Sequence, residues 1–228
     1  MLSIVDHRAP KIAISNLEKQ FDVVLFKTNN QTYNEVSGHP DIFIFQHKNT
    51  IIAAQNTPKY IIEKIEQTSA KLIISVLSSG KTLRNSTSFN CSATQHYWFH
   101  KTGYTAPEII QHCKTKTFIQ LPQAYSRCST SFLSDNCIIT SDPGVEKALK
   151  QAQLPAVLID PSDITLPGFR YGFFGGTNGV IDNKVYFLGN ILAHSWGKQV
   201  EEYLIHHEYE PVCLSNGKLY DGGGLFFV

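Results

Sequence analysis

The chain has 228 residues, a formal net charge of +1 and a hydrophobic fraction of 42%. This composition predicts a folded chain with a substantial core and excludes a disordered one. The 20 basic and 19 acidic residues form no basic block, so composition gives no signal for nucleic acid or an anionic membrane. The early charges of Asp6 and Arg8 argue against a secretory signal, and no apolar run reaches the roughly 18–20 residues that span a bilayer. We therefore expect one cytoplasmic domain over residues 1–228.

The cysteines indicate a reducing environment. Their number is odd and they are widely spaced, which argues for free thiols and against a disulfide framework. They are Cys91, Cys113, Cys128, Cys137 and Cys213. The sequence has no C-x-x-C pair and no H-E-x-x-H motif, so we expect neither a metal nor a cofactor. Cys113, Cys137 and Cys213 lie within predicted helices or strands, and we expect them in the core.

The first predicted elements are a strand over residues 1–5, a helix from Ala9-Pro10 to Leu17 and a strand over residues 23–26. Proline suits the first turn of a helix, which supports the predicted helix start. This strand–helix–strand segment matches the last three elements of the units that follow it. It lacks a preceding first strand.

A complete β-β-α-β unit follows. Residues 41–45 and 50–54 are apolar and β-prone, and the polar residues 46–49 between them predict a hairpin. Thr57-Pro58 predicts a helix start, because threonine suits the cap and proline the first turn. Isoleucines at helical spacing follow, and residues 71–76 close the unit as a strand.

The same order recurs three times. Hairpins are predicted over 92–99, 130–140 and 179–188, helices from Ala106-Pro107, Asp142-Pro143 and about Ser195, and closing strands over 117–119, 156–159 and 211–214. The spacing of roughly 40–48 residues is within the range of known repeats. Residues 225–228 supply the first strand that the N-terminal segment lacks. We predict an α/β fold of five β-β-α-β units in a pseudosymmetric ring, an α/β propeller, closed by the two termini. The alternative is an open α/β sheet.

Several segments resemble the guanidine-modifying-enzyme superfamily, also called the pentein fold, and within it an uncharacterised bacterial family. They are Gly38-His39-Pro40-Asp41-Ile42 and residues 125–129, 138–142, 171–176, 187–190 and 219–223. The resemblance implies a pore-like site on the ring axis, faced by the entrances of the first strands. It also implies a cysteine nucleophile, a histidine acid/base and acidic residues that bind a guanidinium. This cation requires paired carboxylates, a thiolate to attack it and a proton donor for the leaving amine.

The sequence departs from this family pattern at its C-terminal segment. Enzymes of the superfamily carry the nucleophilic cysteine shortly after a glycine-rich segment near the C-terminus. Here Asp221-Gly222-Gly223-Gly224 is followed by Leu225-Phe226-Phe227-Val228, which contains no cysteine. The standard nucleophile therefore cannot be transferred to this chain. The superfamily also contains a non-enzymatic ribosome anti-association factor, so the fold alone does not decide the function.

Four residues at predicted strand entrances are candidates for catalysis, namely Cys128, His39, Asp41 and Asp221. Alternation along a strand places His39 and Asp41 on one side, where the carboxylate can orient the imidazole. Arg127 beside Cys128 would favour a thiolate. The structural alternative is that His39 and Asp41 serve a loop, and that Cys128 is a small buried hydrophobe.

Six further residues are candidates for ligand binding, namely Gly175, Gly176, Thr177, Asn178, His194 and Gly222. Glycines permit positive φ angles and close approach to a ligand, although they can equally serve tight turns. The run over residues 175–179 lacks the lysine of a phosphate-binding loop. His194 can reach the site from its rim or cap the helix that follows it.

Two functions remain open from the sequence. The first is a hydrolase or transferase acting on a guanidino or amidino small molecule, with Cys128 as nucleophile, His39 as acid/base, and Asp41 and Asp221 binding the cation. The second is a non-catalytic module of the same fold that binds a small ligand or a protein segment. The missing C-terminal cysteine supports the second function.

Overall fold

The computed structural model describes residues 1–228 and contains five three-stranded sheets. In every sheet the middle strand pairs antiparallel with one neighbour and parallel with the other. The helix of each unit lies in sequence between the two parallel strands, as the β-β-α-β pattern requires. The mixed α/β class and the five units are therefore confirmed. The closure of the five units into a ring stays a prediction.

The elements are short. The strands are β1 (Leu2–Asp6), β2 (Asp22–Phe26), β3 (Ile44–His47), β4 (Thr50–Ala53), β5 (Lys71–Ile74), β6 (Ser92–Ala93), β7 (Tyr97–His100), β8 (Thr117–Gln120), β9 (Thr130–Phe132), β10 (Ile138–Thr140), β11 (Val157–Leu158), β12 (Asn178–Ile181), β13 (Lys184–Phe187), β14 (Glu210–Cys213) and β15 (Phe226–Phe227). The helices are α1 (Lys11–Glu18), α2 (Lys59–Glu66), α3 (Leu83–Thr87), α4 (Pro107–His112), α5 (Ser126–Ser129), α6 (Pro143–Gln151) and α7 (Gly197–His206).

The C-terminal strand completes the N-terminal sheet. β15 pairs antiparallel with β1, with Ser3 opposite Phe227. Leu2 and Val228 donate backbone hydrogen bonds to each other, both at 2.8 Å. The pairing of the last strand beside the first, predicted from the sequence, is confirmed.

The helix starts follow the sequence signals only in part. Asp142 caps α6 by accepting hydrogen bonds from the backbone amides of Gly144 and Val145, as its place before a proline predicts. Thr57, the expected cap of α2, does not act in this way. Pro58 occupies the N-cap position, and the Thr57 hydroxyl is buried without a hydrogen-bond partner.

Two predicted placements are wrong. The first strand of the second unit begins at Ile44, because Pro40–Ile42 forms a 3-10 turn, so Asp41 and His39 do not lie in a strand. Cys213 is exposed, since it lies at the end of β14, the outer strand of its sheet. Helix α3 was not predicted. It begins at Leu83 and is capped by Thr82, whose hydroxyl accepts a hydrogen bond from the backbone amide of Asn85.

The core is divided into four hydrophobic clusters rather than one. The largest contains 20 buried residues and packs the second and third units against β1, β2 and β15. It combines isoleucines with large buried aromatics such as Phe43, Phe45 and Phe89. None of the helices has both the length and the apolar character required to cross a membrane.

Candidate active site

The loops that lead into the first strands of different units converge on one group of buried polar side chains. Asp6 ends β1, His39 and Asp41 precede β3, Cys128 precedes β9, and Asp221 precedes β15. We call these five residues the buried cluster. Each is at most 4% exposed. All four residues predicted to be catalytic are members, and Asp6 joins them.

Cys128 lies in the single turn of α5, immediately before β9. Its thiol donates a hydrogen bond to Asp41 Oδ2 at 2.9 Å, and its backbone amide donates to Asn90 Oδ1 at 3.1 Å. Burial, reinforced by the charges of Asp41 and Asp221, raises the pKa of the thiol well above its usual value. Arg127 opposes this shift but does not overcome it. The resting side chain is therefore a neutral thiol.

His39 lies between two carboxylates. Its Nε2 is 3.7 Å from Asp6 Oδ2, and its Nδ1 is 3.9 Å from Asp221 Oδ1. Burial lowers the pKa of the imidazole, although both carboxylates act against this shift. Neither ring nitrogen has a hydrogen-bond partner within the protein. A neutral imidazole with two free nitrogens can accept a proton from a ligand or donate one to it.

The carboxylates of Asp41 and Asp221 are held in different ways. Burial raises the pKa of Asp41 to about 6, despite the nearby Arg127 charge and the Cys128 hydrogen bond. Asp41 Oδ1 has no hydrogen-bond partner. Burial also raises the pKa of Asp221, while its neighbour His39 opposes the shift. Asp221 accepts backbone hydrogen bonds from Phe173 at 2.8 Å and Gly223 at 3.1 Å, which fix its orientation.

Two arginines of the chain reach into the buried cluster. Arg8 makes a two-pronged contact with Asp6, with its Nε 3.0 Å from Oδ1 and its Nη2 2.7 Å from Oδ2. Arg127 Nη1 lies 3.6 Å from Asp41 Oδ2. Its guanidinium also donates to the carbonyls of Gly223 and Leu225 and lies 4.3 Å above the Phe226 ring. The carboxylates of Asp6 and Asp41 are thus each already in contact with a guanidinium group of the protein.

Sequence reasoning left Asp6, Arg8 and Asn90 out of the candidate site, although Asp6 and Arg8 hold the corresponding place in the terminal unit. The charges of Asp6 and Arg8 are ordinary for a surface loop, and only the buried end of β1 places Asp6 inside. Asn90 links three units, because its side chain accepts from the Arg127 and Cys128 amides and lies 3.4 Å from the Asp41 carbonyl. The place of Asn90 before a predicted first strand was the available signal.

The glycines proposed for ligand binding make close contacts within the protein. A Cβ at Gly176 would collide with the Asp221 carboxylate, and one at Gly175 would collide with the Arg127 carbonyl. Gly223 has a φ of +67°, and its backbone packs against His39. Small residues at these positions allow the loops to close over the buried cluster.

The other predicted ligand-binding residues differ in their surroundings. Thr177 and Asn178 are buried and bond the Phe174 carbonyl at 2.7 and 2.9 Å. Gly222 lies against Leu188 and Asp6. His194 Nε2 contacts the Asp160 carbonyl at 2.9 Å, and Nδ1 accepts from the Trp196 amide at 3.0 Å. Backbone groups therefore engage both ring nitrogens just before α7.

One set of residues has the chemistry of metal ligands. Potential donor atoms of His39, Asp41 and Cys128 all lie within 4.8 Å of one another. A thiolate, an imidazole and a carboxylate are the ligand types that zinc prefers. The hydrogen bond from Cys128 to Asp41 requires a protonated thiol. A metal ion bound to Cys128 would replace this thiol proton.

The fold of the chain is similar to those of three solved structures, an amidinotransferase, a DDAH and an arginine dihydrolase. SxtG, an amidinotransferase of the saxitoxin pathway from Microseira wollei, is 10% identical, with a TM-score of 0.53 over 93% of this chain and 88% of that chain. A mutant DDAH from Pseudomonas aeruginosa complexed with citrulline is 9% identical, with a TM-score of 0.55 over 95% and 91%. ArgZ, a cyanobacterial arginine dihydrolase, is 9% identical, with a TM-score of 0.52 over 92% of this chain but only 36% of that chain. These similarities show a pentein-like fold.

Within this fold class, the chain belongs to DUF6873, a family of unknown function, whose profile matches residues 4–226. No curated protein matches the sequence.

Proposed function

We propose that the protein acts on a small molecule carrying a guanidino or amidino group, with Cys128 as the nucleophile. The observation that carries this proposal is the group of unpartnered polar atoms beside the thiol. Both nitrogens of His39 and Oδ1 of Asp41 are buried without a hydrogen-bond partner. Such atoms are rare in folded proteins because each costs about 1–3 kcal/mol, and they are typical of sites that bind a ligand.

The charges of the buried cluster favour a cationic ligand. Asp6, Asp41 and Asp221 supply three carboxylates, whereas Arg8 and Arg127 supply two guanidinium groups in contact with them. One additional positive charge would balance the ionised groups. Burial disfavours that charge on His39, so a bound guanidinium or amidinium is the better source of it. The hydrogen bonds from Arg8 to Asp6 and the contact of Arg127 with Asp41 support this choice, because both involve planar guanidinium groups.

The proposed reaction begins when the cation binds. A positive charge beside the thiol lowers its pKa, which offsets the effect of burial. Cys128 transfers its proton to Asp41, with which it already forms a hydrogen bond, and Sγ bonds to the guanidinium carbon. A C–N bond of the substrate breaks, and the leaving amine takes the proton by way of His39.

Hydrolysis completes the cycle in this proposal. Neutral His39 removes a proton from a water molecule that attacks the thiol-bound carbon, the C–S bond breaks, and the thiol regains a proton. The products are an amine or ammonia and a ureido compound. Transfer of the amidino group to an amine acceptor would replace the water in an amidinotransferase.

Access to the buried cluster requires a local movement. The turn Asp221–Gly224 lies against His39, Asp41 and Arg127. We propose that this turn moves outward to admit the substrate. Such motions occur on microsecond to millisecond timescales and sequester the reaction from water when the turn closes.

The direct test is turnover of arginine, agmatine and guanidinoacetate, measured as release of ammonia and of the ureido product. We expect activity with at least one of them and a loss of at least about 10³-fold in Cys128→Ala, since the nucleophile is removed. Cys213→Ala removes an exposed cysteine and is the matched control, which should retain full activity. Equal activity in Cys128→Ala and the wild type would contradict the proposed nucleophile.

A second candidate is a binding module without turnover. Two features favour this candidate. The raised pKa of the Cys128 thiol opposes its use as a nucleophile, and Arg127 already lies beside the Asp41 carboxylate that a cationic substrate would need. Calorimetric titration with arginine separates the two candidates. Saturable binding that survives Cys128→Ala but is weakened in Asp221→Asn, without any turnover, would support the module. Absence of both binding and turnover would contradict both candidates.

Thiol alkylation with iodoacetamide provides an independent readout. Cys128 should react at least about 100-fold more slowly than the exposed Cys213, because it is buried and protonated. A saturating guanidinium substrate should shield Cys128 or activate its thiol, and so change this rate while leaving that of Cys213 unchanged. A rate for Cys128 that no guanidino compound alters would weigh against the proposed substrate class.

We also propose that the five units close into a ring, the α/β propeller. Convergence of the unit entrances on the buried cluster and the contacts between β3 and β6 and between β12 and β15 support it. The five free cysteines support an intracellular site of action, which remains a proposal.

A further inference from the structure

We propose a second binding site, for a small organic oxyanion, in the open cavity lined by the first strands on the hairpin-turn side of the buried cluster. The ligand would carry a phosphate or carboxylate group on a partly apolar body. Its anionic group would bind at a basic rim formed by His47, Lys48 and Lys116. This site is separate from the buried cluster and does not depend on the proposed catalytic function.

The cavity has a volume of about 540 Å³ and is bounded by residues of several units. It extends along the first strands toward their turns, since it is lined by Gln46 of β3, Ser92 of β6, Ser131 of β9 and Val180 of β12. The buried cluster lies at the opposite, starting ends of these strands. A volume of this size is within the range that holds a small organic molecule.

Arg127 separates the two regions. Its side chain lines the cavity on one side and contacts Asp41 on the other. Hydrogen bonds to the Gly223 and Leu225 carbonyls and the contact with the Phe226 ring hold it in place. The inner end of the cavity therefore carries a fixed positive charge.

The rim of the cavity concentrates basic groups. His47 and Lys48 line the cavity directly. His47 Nδ1 is 3.0 Å from His112 Nε2, so two imidazoles are in hydrogen-bond contact. Lys116 is bonded to the carbonyls of Thr94 and Gln95, which also line the cavity, with a distance of 2.6 Å to Gln95. Lys48 forms no ion pair within the protein.

Few acidic groups balance this rim. The negative charge of Asp135 acts electrostatically on Lys116, but the Asp135 carboxylate is in direct contact with the imidazole of His96. Asp182 lines the cavity but lies at the turn of the β12–β13 hairpin. Burial lowers the pKa of His47 to about 4, and the neighbouring Lys116, His112 and Lys48 add to this shift, so His47 offers a ligand a neutral imidazole while the lysines supply the positive charge. A bound oxyanion would supply the missing negative charge.

The rest of the lining suits an organic body rather than a bare ion. Phe132, Phe226 and Phe227 provide apolar surface, while Ser92 and Ser131 provide hydroxyl groups. Apolar walls with a few polar groups that orient the ligand are typical of small-molecule sites. Phosphate and carboxylate share the oxyanion chemistry that lysines and imidazoles recognise, and the experiment below distinguishes them.

The test is calorimetric titration of the full chain at low ionic strength with phenyl phosphate, benzoate and uncharged benzyl alcohol. We expect saturable one-to-one binding of at least one of the two anions, and much weaker binding of benzyl alcohol. Lys48→Gln should weaken anion binding by about two- to ten-fold, and Lys116→Gln by a similar factor. Binding should also weaken as salt is added.

The matched control is Lys198→Gln, which removes an exposed lysine on α7, and it should leave the affinity unchanged. Cys128→Ala should leave it unchanged as well, which separates this site from the proposed catalytic one. Because Lys116 also bonds the hairpin turn, Lys48→Gln keeps the test valid if Lys116→Gln fails to fold. In NMR spectra, the His47 and His112 imidazole signals should move during the titration.

The proposal would be overturned if neither anion bound, if benzyl alcohol bound as tightly as the anions, or if Lys198→Gln weakened binding as much as Lys48→Gln. A preference for phenyl phosphate over benzoate would assign a phosphorylated ligand. The reverse preference would assign a carboxylate.

Discussion

The buried cluster and the basic rim of the cavity carry unbalanced charges of opposite sign. In the cluster, carboxylates outnumber the guanidinium groups that contact them, and burial raises the pKa of Asp41 to about 6. At the rim, basic groups lack acidic partners, and the pKa of His47 falls to about 4. Both shifts move a group toward its neutral form, because burial penalises the charge and the neighbours of like sign add to the penalty.

This contrast distinguishes two ways of preparing a binding site. The cluster is closed, and glycine turns hold its side chains in fixed positions. The rim is open to the cavity, and the Lys48 side chain remains exposed to solvent. We therefore expect changes in the cluster to affect folding strongly, whereas replacement of the exposed Lys48 at the rim should affect ligand binding and the titration of His47 but barely affect folding.

The largest effect is expected from Gly176→Ala. The added methyl group would overlap the Asp221 carboxylate, which backbone hydrogen bonds hold in place. The free energy of unfolding, measured by urea denaturation, should fall by about 3 kcal/mol or more. Gly217→Ala, where the nearest atom would be 3.9 Å away, should change it by less than about 0.5 kcal/mol. Similar results for the two variants would contradict the tight packing of the cluster.

The next effect concerns pH. The pKa of Asp41 is about 6 in the folded protein and 3.8 as a reference, so the folded state binds its proton more tightly. Stability contributed by this proton is present below about pH 4 and is lost as the pH rises through 6. The stability of the wild type relative to Asp41→Asn should therefore fall by about 2–3 kcal/mol between pH 4 and 7. A difference that rises with pH would show that Asp41 is paired rather than desolvated.

A smaller loss of stability is expected from Asn90→Ala. The Cys128 amide would lose its acceptor in a buried position, which costs about 2 kcal/mol. The exposed residue Asn136 provides the control, since Asn136→Ala should change the unfolding free energy by no more than about 0.5 kcal/mol. Urea denaturation of both variants measures the difference. Equal stability of the two would mean that water replaces the Asn90 contacts.

The smallest effect is expected at the rim. An NMR titration should show His47 with a pKa near 4, and Lys116→Gln should raise it by up to about one unit, because a neighbouring positive charge is removed. Lys198→Gln should leave the His47 titration unchanged. If His47 titrated in the same way in both variants, Lys116 would not belong to the basic rim.

Much of the fold could be predicted because its signals are local. Alternating apolar runs and polar turns mark each hairpin, and Asp142 before Pro143 marks the start of α6. The pairing of residues 225–228 with the first strand followed from counting the strands of each unit. The start of β3 was misplaced, because Pro40 allows a 3-10 turn within a run that looks like a strand.

The site was predictable only as a set of positions. His39, Asp41, Cys128 and Asp221 all lie at unit entrances, and counting units brought them together. Their chemistry depends on contacts between distant segments. Neighbouring Arg127 predicted a thiolate at Cys128, yet the long-range contact with Asp41 and the burial of the thiol raise its pKa. Arg8 and Asp6 are only two residues apart, but no local signal indicated that Asp6 is buried.

Asn90 also has a consequence for the order of folding. Each hairpin can form from neighbouring residues, whereas the Asn90 side chain bonds partners that are 37 to 49 residues away. Contacts of this separation pay a larger loop-closure entropy and form slowly. The hairpins within the units are thus expected to form before the Asn90 side chain connects neighbouring units, so that the candidate active site is completed only after the individual units have formed.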